Sequence, residues 1–483
     1  MSEYYDTYFL DATVALKNAL KNHNVMAANK IVSGLQICYY DGNKIDNAPM
    51  NCINVPFDSM VDYFSTTKNR LPTVFDTTNC SLGFKDIESL KDKFYENIEK
   101  VNKILKAKIK KLHSEIKNLK LNFQDKTLRI FAYGCRETVL IKYLVENIIS
   151  AFNDLEYETL LYKQTNDIQS CSEVFYLEAI RDFNPHITIN INHLNNQFLN
   201  DDVFNFVWFQ DVMPILANDI PIRLRERDFV FHISSMLERK LKQKDISSYY
   251  QPFCINKAIY KRRDSINREN KIVFIGSSYK GRIEKIKDDY DFEKIYNNML
   301  VVFNQKGCLT NPSIENSDIK YFADKYNKPV EYIGEIYAYM GRDYCIEKLC
   351  KLNTNYKLEV YGHGWSDNEI VAPYYKGIVE YGKEISKIYN SAIYGYCPGG
   401  YVLMQRTLES VFSGAIPLVL DVRADKDDVY DAKVEESVEF FTVDTLKEIL
   451  NKQPKKCNFY FMTREYSYDN FIQNCVSIIN NIE

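Results

Sequence analysis

Apolar residues recur at steps of three and four along 86–121: Ile87, Leu90, Phe94, Ile98, Val101, Leu105, Ile109, Leu112, Ile116 and Leu119. Lysines fill much of the remaining circumference, so the pattern predicts one long amphipathic helix over 86–121. Such a helix either packs on its own protein or acts as a coiled-coil arm, with the lysine face in water. Upstream, Asp11 to Leu35 has helical spacing, and a stretch rich in Asn, Asp and Pro follows, with short apolar runs such as Leu35–Tyr40. Residues 1–125 therefore read as an α-rich N-terminal extension.

At Thr127 the rhythm changes. Short apolar runs at 128–133, 157–162, 186–191, 203–207 and 228–234 are strand candidates, and helical stretches at 139–152, 171–183 and 236–244 alternate with them. A polar stretch, Lys261 to Asn270, reads as a linker or hinge. The alternation restarts at Lys271–Ile275 and continues through strand candidates at 358–361, 377–379, 392–396, 416–420 and 439–441. Strands alternating with helices predict parallel sheets covered by helices, so the fold class is α/β in two similar halves.

Composition narrows the classes. At about 150 residues per domain, 483 residues predict about three domains. Hydrophobic residues at 46% and charged ones at 26% fit a globular chain. A net charge of −4 argues against a nucleic-acid binder, which needs a basic footprint. The 12 cysteines are scattered without a Cys-x-x-Cys, the acidic N-terminus lacks an apolar core segment, and no apolar run spans a bilayer. These features predict reduced thiols and a cytoplasmic location.

In open parallel sheets, ligands bind beyond the carboxyl ends of the strands, and four such places carry informative residues. Gly134, followed by Cys135-Arg136-Glu137-Thr138, is either a ligand-contacting turn or an ordinary strand–helix turn. Trp208-Phe209-Gln210-Asp211 offers a carboxylate as general base, or as a helix cap. Gly276-Ser277-Ser278-Tyr279-Lys280-Gly281-Arg282 combines close backbone approach with two cations, the chemistry a diphosphate needs, although it also fits a solvated turn. Finally, Arg406 and Glu409 at i, i+3 follow the loop Cys397-Pro398-Gly399-Gly400-Tyr401, bracketed by Gly400 before and Gly414 after. His363 sits in a strand-end loop within reach of a nucleotide. The six histidines are dispersed and no metal-ligand ladder occurs, so no metal site is expected.

Arg406-x-x-Glu409 with Ser413-Gly414-Ala415-Ile416-Pro417 resembles the group 1 signature of GT-B fold glycosyltransferases, in particular the CgeB-like (spore maturation protein-like) family. Val273-Phe274-Ile275-Gly276-Ser277 with Arg282, Leu358-Glu359-Val360-Tyr361-Gly362, Tyr389-Asn390-Ser391-Ala392, Trp208-Phe209-Gln210-Asp211 and Tyr250-Gln251-Pro252-Phe253 are similar to further motifs of that family. The resemblance covers about 127–475. One departure is Tyr401, which stands where many retaining members carry a glutamate eight residues before the helix glutamate.

The resemblance implies two Rossmann-like domains facing a cleft: an acceptor domain over 126–255, joined by a C-terminal helix at 460–483, and a donor domain over 256–459. It implies sugar transfer from a nucleotide-sugar, UDP- or GDP-linked, to a protein or glycan acceptor, without a metal or a resident cofactor. Gly276, Ser277, Lys280, Arg282, His363, Arg406 and Glu409 would hold the donor, with Glu409 on the ribose. Gly134, Arg136, Gly400 and Tyr401 would line the cleft, and Asp211 would be the base. Peripheral membrane association and self-association through the 86–121 helix complete the expected partners. Two alternatives stand beside this reading: a non-catalytic scaffold on the same architecture, and a nucleotide-sugar hydrolase or epimerase.

Overall fold

The computed structural model describes residues 6–10, 37–42, 44, 51–77, 83–124, 127–134, 139–164, 169, 173–218, 221–309, 317–425 and 430–482. The expected 11–35 helix and Arg136 lie outside them. The chain forms two compact units, Met1–Val207 with Arg223–Phe229, and Trp208–Ile222 with Val230–Glu483.

The first 125 residues hold a sheet of their own, not only helix. Strands β1 (Thr7–Phe9), β2 (Cys38–Tyr40), β3 (Cys52–Asn54) and β4 (Val74–Asp76) pair in parallel in the order β3-β2-β1-β4. Strands of three residues are too short to show a period of two, which is why the pattern concealed them. Helix Phe84–Lys117 covers most of the expected 86–121 segment. Phe94 and Val101 of that helix join Tyr8, Tyr39 and Phe64 in one core, while Leu112 and Ile116 join Phe131, Val174 and Leu177 in another. Its apolar stripe is thus used inside its own unit, linking the small sheet to the next α/β layer.

The second sheet comprises β5 (Arg129–Gly134), β6 (Glu158–Lys163), β7 (Ile187–Ile191), β8 (Phe204–Phe209), β9 (Asp228–His232) and β10 (Tyr249–Tyr250), in the order β10-β9-β8-β7-β5-β6. The boundary between the units passes within β8 and β9. The ladders joining β5 to β6 and β7, and β9 to β10, are parallel. The side chain of Trp208, at the end of β8, stacks on Phe471 of helix Tyr468–Asn480 at 5.1 Å and donates to the Gln251 carbonyl at 2.9 Å.

The third sheet, wholly in the second unit, contains β11 (Glu269–Ile275), β12 (Lys357–Tyr361), β13 (Ala392–Cys397), β14 (Ile416–Leu420) and β15 (Glu439–Phe441). All its ladders are parallel, in the order β12-β11-β13-β14-β15. Its central strands are buried on both faces and read as continuous apolar runs. The expected strand at 377–379 does not form. That segment is instead tied to β12 by hydrogen bonds from Lys376 N to Val360 O (2.9 Å) and from Gly362 N to Gly377 O (3.0 Å). In both larger sheets the first strand lies between the second and the third, so the chain reverses direction across the sheet beside β5 and beside β11. Such reversal points open a crevice at the strands' carboxyl ends.

Gly134 ends β5, where an added Cβ would stand 2.6 Å from Val145 Cγ2. The glycine there serves close packing of helix Val139–Asp154 on the strand. Gly134→Ala is expected to destabilise the protein by about 1–3 kcal/mol through overpacking. A thermal melt checks this, and an unchanged melting temperature would contradict the packing role.

Candidate functional site

The turn after β11 is clasped by the turn after β12. Gly276 N donates to Tyr361 O at 2.9 Å, Ser278 N donates to His363 O at 2.8 Å, and Trp365 Nε1 donates to Gly276 O at 2.7 Å. Gly362 has φ +128°, and a Cβ on it would lie 2.2 Å from Gly276 O. Only glycine permits that approach. The turn therefore has a fixed shape before any ligand arrives.

A segment that the sequence reading did not single out completes this corner. Met340–Tyr344 is a π-helical turn between helices Val330–Tyr339 and Cys345–Cys350, a local irregularity frequent at functional sites. Its Asp343, 1% exposed, accepts from Ser278 Oγ at 2.5 Å and from Tyr279 N at 2.9 Å. Burial raises the Asp343 carboxyl above its ordinary 3.8, and the bonds from Ser278 and Tyr279 oppose that rise. Asp343 thus holds the start of helix Lys280–Ile283 and takes the Tyr279 amide for itself.

Arg342, the neighbouring residue, reaches the same turn. Its Nη1 donates to Ser277 O at 3.2 Å and its guanidinium lies 3.8 Å from the Tyr279 ring centroid, while Arg282 lies 4.3 Å from the same centroid. Arg342 Nε is buried without a hydrogen-bond partner among the described residues. Burial lowers the Arg342 pKa, Tyr279 and Asp343 oppose that, and the positive charges of Arg282 and Arg406 add smaller depressions. Arg282 and Arg342 thus share the Tyr279 ring at the turn after β11, and the Arg406 charge is near enough to act on Arg342. Arg282 is half-exposed and meets Glu335 at 3.3 Å; Lys280 is half-exposed, with Glu284 at 4.0 Å. Neither the amide nor the hydroxyl of Ser277 donates a hydrogen bond among the described residues.

The Arg406–Glu409 pair sits on helix Gln405–Phe412. Glu409 is fully buried, paired with the Arg406 guanidinium and 3.3 Å from Gln405 Nε2. Burial works against the Arg406 charge, but Glu409 holds it above the ordinary arginine range. With no exposed surface, Glu409 orients Arg406 and does not itself face solvent. The Arg406 side chain keeps 28% of its surface exposed, and Tyr381 lies 5.9 Å from its guanidinium.

Asp211 and Tyr401 line a common cavity of about 210 Å³ with Gln210, Tyr250, Leu403 and Met404. Asp211 is exposed and does not cap helix Pro214–Ala217, whose N-cap is Met213. Met404 leads directly into the helix bearing Arg406, so the 398–404 loop, with Gly400 half-buried within it, joins this cavity to the arginines. His363 is exposed and takes part through its carbonyl. Gly134 belongs to the first unit. Arg342 and Asp343 carry no distinguishing sequence signal, because the stretch Val330 to Cys350 also holds Glu331, Glu335, Glu347 and Lys348.

No protein-family model matches the chain, and no curated protein matches it. Among the described residues no helix is long and apolar enough to cross a membrane, and no group of His, Cys, Asp and Glu could hold a metal ion.

Two outcomes follow from this geometry. Glu409→Gln leaves Arg406 without its counter-charge, and is expected to cost about 3 kcal/mol, the low end for a broken buried pair because Arg406 keeps some water. Denaturant unfolding measures it, and an unchanged midpoint would contradict the role assigned to Glu409. Asp343 binds a proton more readily folded than unfolded, so its contribution to stability falls as pH rises above the ordinary aspartate range. The stability of Asp343→Asn relative to the natural protein should therefore increase with pH through that window; a pH-independent difference would contradict the raised carboxyl.

Proposed function

We propose that the protein is a glycosyltransferase of GT-B type, moving a sugar from a nucleotide-sugar donor to a protein or glycan acceptor. The observation that carries this reading is the pair Arg282 and Arg342 on the Tyr279 ring at the reversal point of the third sheet, with the Arg406 charge acting on Arg342. A glycosyl cation-like transition state forms as a diphosphate leaves, and the growing negative charge must be met by groups already in position. Guanidinium forks suit phosphate oxygens. Arg342 is anchored by Ser277 O and Tyr279, and Arg406 by Glu409, so both are oriented before the donor binds.

Asp211 is the proposed base, opposite Tyr401 in the smaller cavity, with room for an acceptor hydroxyl beside it. Charge neutralisation falls to the arginines; UDP- and GDP-linked sugars are the proposed donors. The domain over 126–255 would serve the acceptor and that over 256–459 the donor, each built on a sheet with the same strand order. A second reading, a non-catalytic nucleotide-sugar binder, is favoured by Tyr401 replacing a carboxylate and by the burial of Glu409.

A thermal-shift screen with UDP- and GDP-sugars, followed by mass spectrometry of donor breakdown and acceptor products, separates them. A ligand at 100 times its dissociation constant should add about 2.7 kcal/mol. Arg342→Ala is expected to abolish that shift. Asp211→Asn should keep it while slowing transfer by about 10²–10⁴-fold. A shift without turnover in the natural protein would support the binder, and a shift that survives Arg342→Ala would overturn the donor site.

A further inference from the structure

The basic run Lys261-Arg262-Arg263, which the sequence pattern marks as a linker, is pinned in place. The buried Asn390 side chain accepts from Arg263 N at 2.7 Å and donates to Lys261 O at 2.9 Å. Arg268 then donates to the carbonyls of Ser413 and Gly414 at the end of helix Gln405–Phe412. Beside this anchored segment lies a cavity of about 630 Å³.

Lys257, Lys261, Arg262 and Arg464 line it, and no carboxylate among the described residues does. Asp469, Asp264 and Glu465 meet Lys257, Arg262 and Arg464 at 3.2, 3.0 and 2.6 Å, but none of the three carboxylates lines the cavity. Exposed pairs of this kind hold their partners weakly. Lys261 has no carboxylate partner among the described residues. The apolar wall includes Phe459 and Tyr460, the latter 70% exposed with the Arg464 guanidinium 5.8 Å from its ring centroid. An open aromatic face beside several cations suits a ligand that carries both negative charge and a ring.

We propose that this cavity is a second anion site, separate from the Arg342 corner, which binds a phosphate ester with a ring or other apolar body. Its phosphate oxygens take the cations and its body lies against Phe459 and Tyr460. The volume lies within the range of small-molecule sites. Tyr260 lines the cavity, and its phenol is pushed up by burial and then by the Glu409 charge, so the occupant shares a wall with the Arg406–Glu409 pair. The same chemistry is offered by a soluble nucleoside phosphate and by a phospholipid headgroup.

The test uses the full chain with three probes: ADP and inorganic pyrophosphate by calorimetry, and vesicles of phosphatidylcholine and phosphatidylglycerol in equal parts by co-sedimentation. The binding that survives Arg342→Ala is expected to weaken at least about tenfold when Lys261→Glu and Arg464→Glu are added, since two charge-assisted contacts become repulsive. Both side chains are at the surface, and circular dichroism checks the fold. Should that variant unfold, Lys261→Ala is expected to lose affinity in the same direction by a smaller factor. Loss of ADP or pyrophosphate binding assigns a soluble ligand, and loss of vesicle binding assigns a headgroup. If no probe binds, if binding is indifferent to these substitutions, or if Arg342→Ala alone removes all of it, the proposal is overturned.

Discussion

Arg342, buried against the turn after β11 with Arg282 on the same Tyr279 ring and the Arg406 charge within electrostatic reach, is the constraint around which this corner of the second unit is arranged. Burial depresses the Arg342 pKa first; Tyr279 and Asp343 oppose that, and the like charges of Arg282 and Arg406 add smaller depressions. The arrangement persists because each member is supported elsewhere. Arg342 rests on Ser277 O and the Tyr279 face, Arg406 on Glu409, and Arg282 on Glu335. These supports include the carboxylates Glu335 and Glu409, and Asp343 acts on Arg342, so the cations of this corner are held beside acidic partners.

The backbone makes this possible. The strand order reverses beside β11, and Gly362 brings the β12 turn against Gly276 O. Asp343 then fixes the turn from the side of the π-helical segment. It does so through hydrogen bonds from the Ser278 hydroxyl and the Tyr279 amide, which oppose the rise that burial imposes on its carboxyl.

How much of this was legible in the sequence depended on the range of the contact. The α/β class, the strands at the ends of which the candidate residues lie, and the turn Gly276–Arg282 followed from local alternation and turn chemistry. The small first sheet did not, because three-residue strands carry no measurable period. Arg342 and Asp343 were missed because their meaning lies in partners 64 or 65 residues away, Ser277, Ser278 and Tyr279. Glu409 was found, yet its surroundings were not: i, i+3 spacing reveals its link to Arg406 but not its complete burial. Gly134 was noted as a turn residue, whereas its actual constraint is Val145, eleven positions on in the packed helix.

The central claim is that the arginine corner receives a diphosphate. Its most direct test is the position of a bound nucleoside diphosphate in a crystal of the complex with UDP or GDP. The account predicts phosphate oxygens within hydrogen-bond distance of Arg342 and of Arg282 or Arg406, with the nucleoside running past the turn after β12. A diphosphate that binds elsewhere on the chain, with all three guanidinium groups left uncontacted, would contradict it.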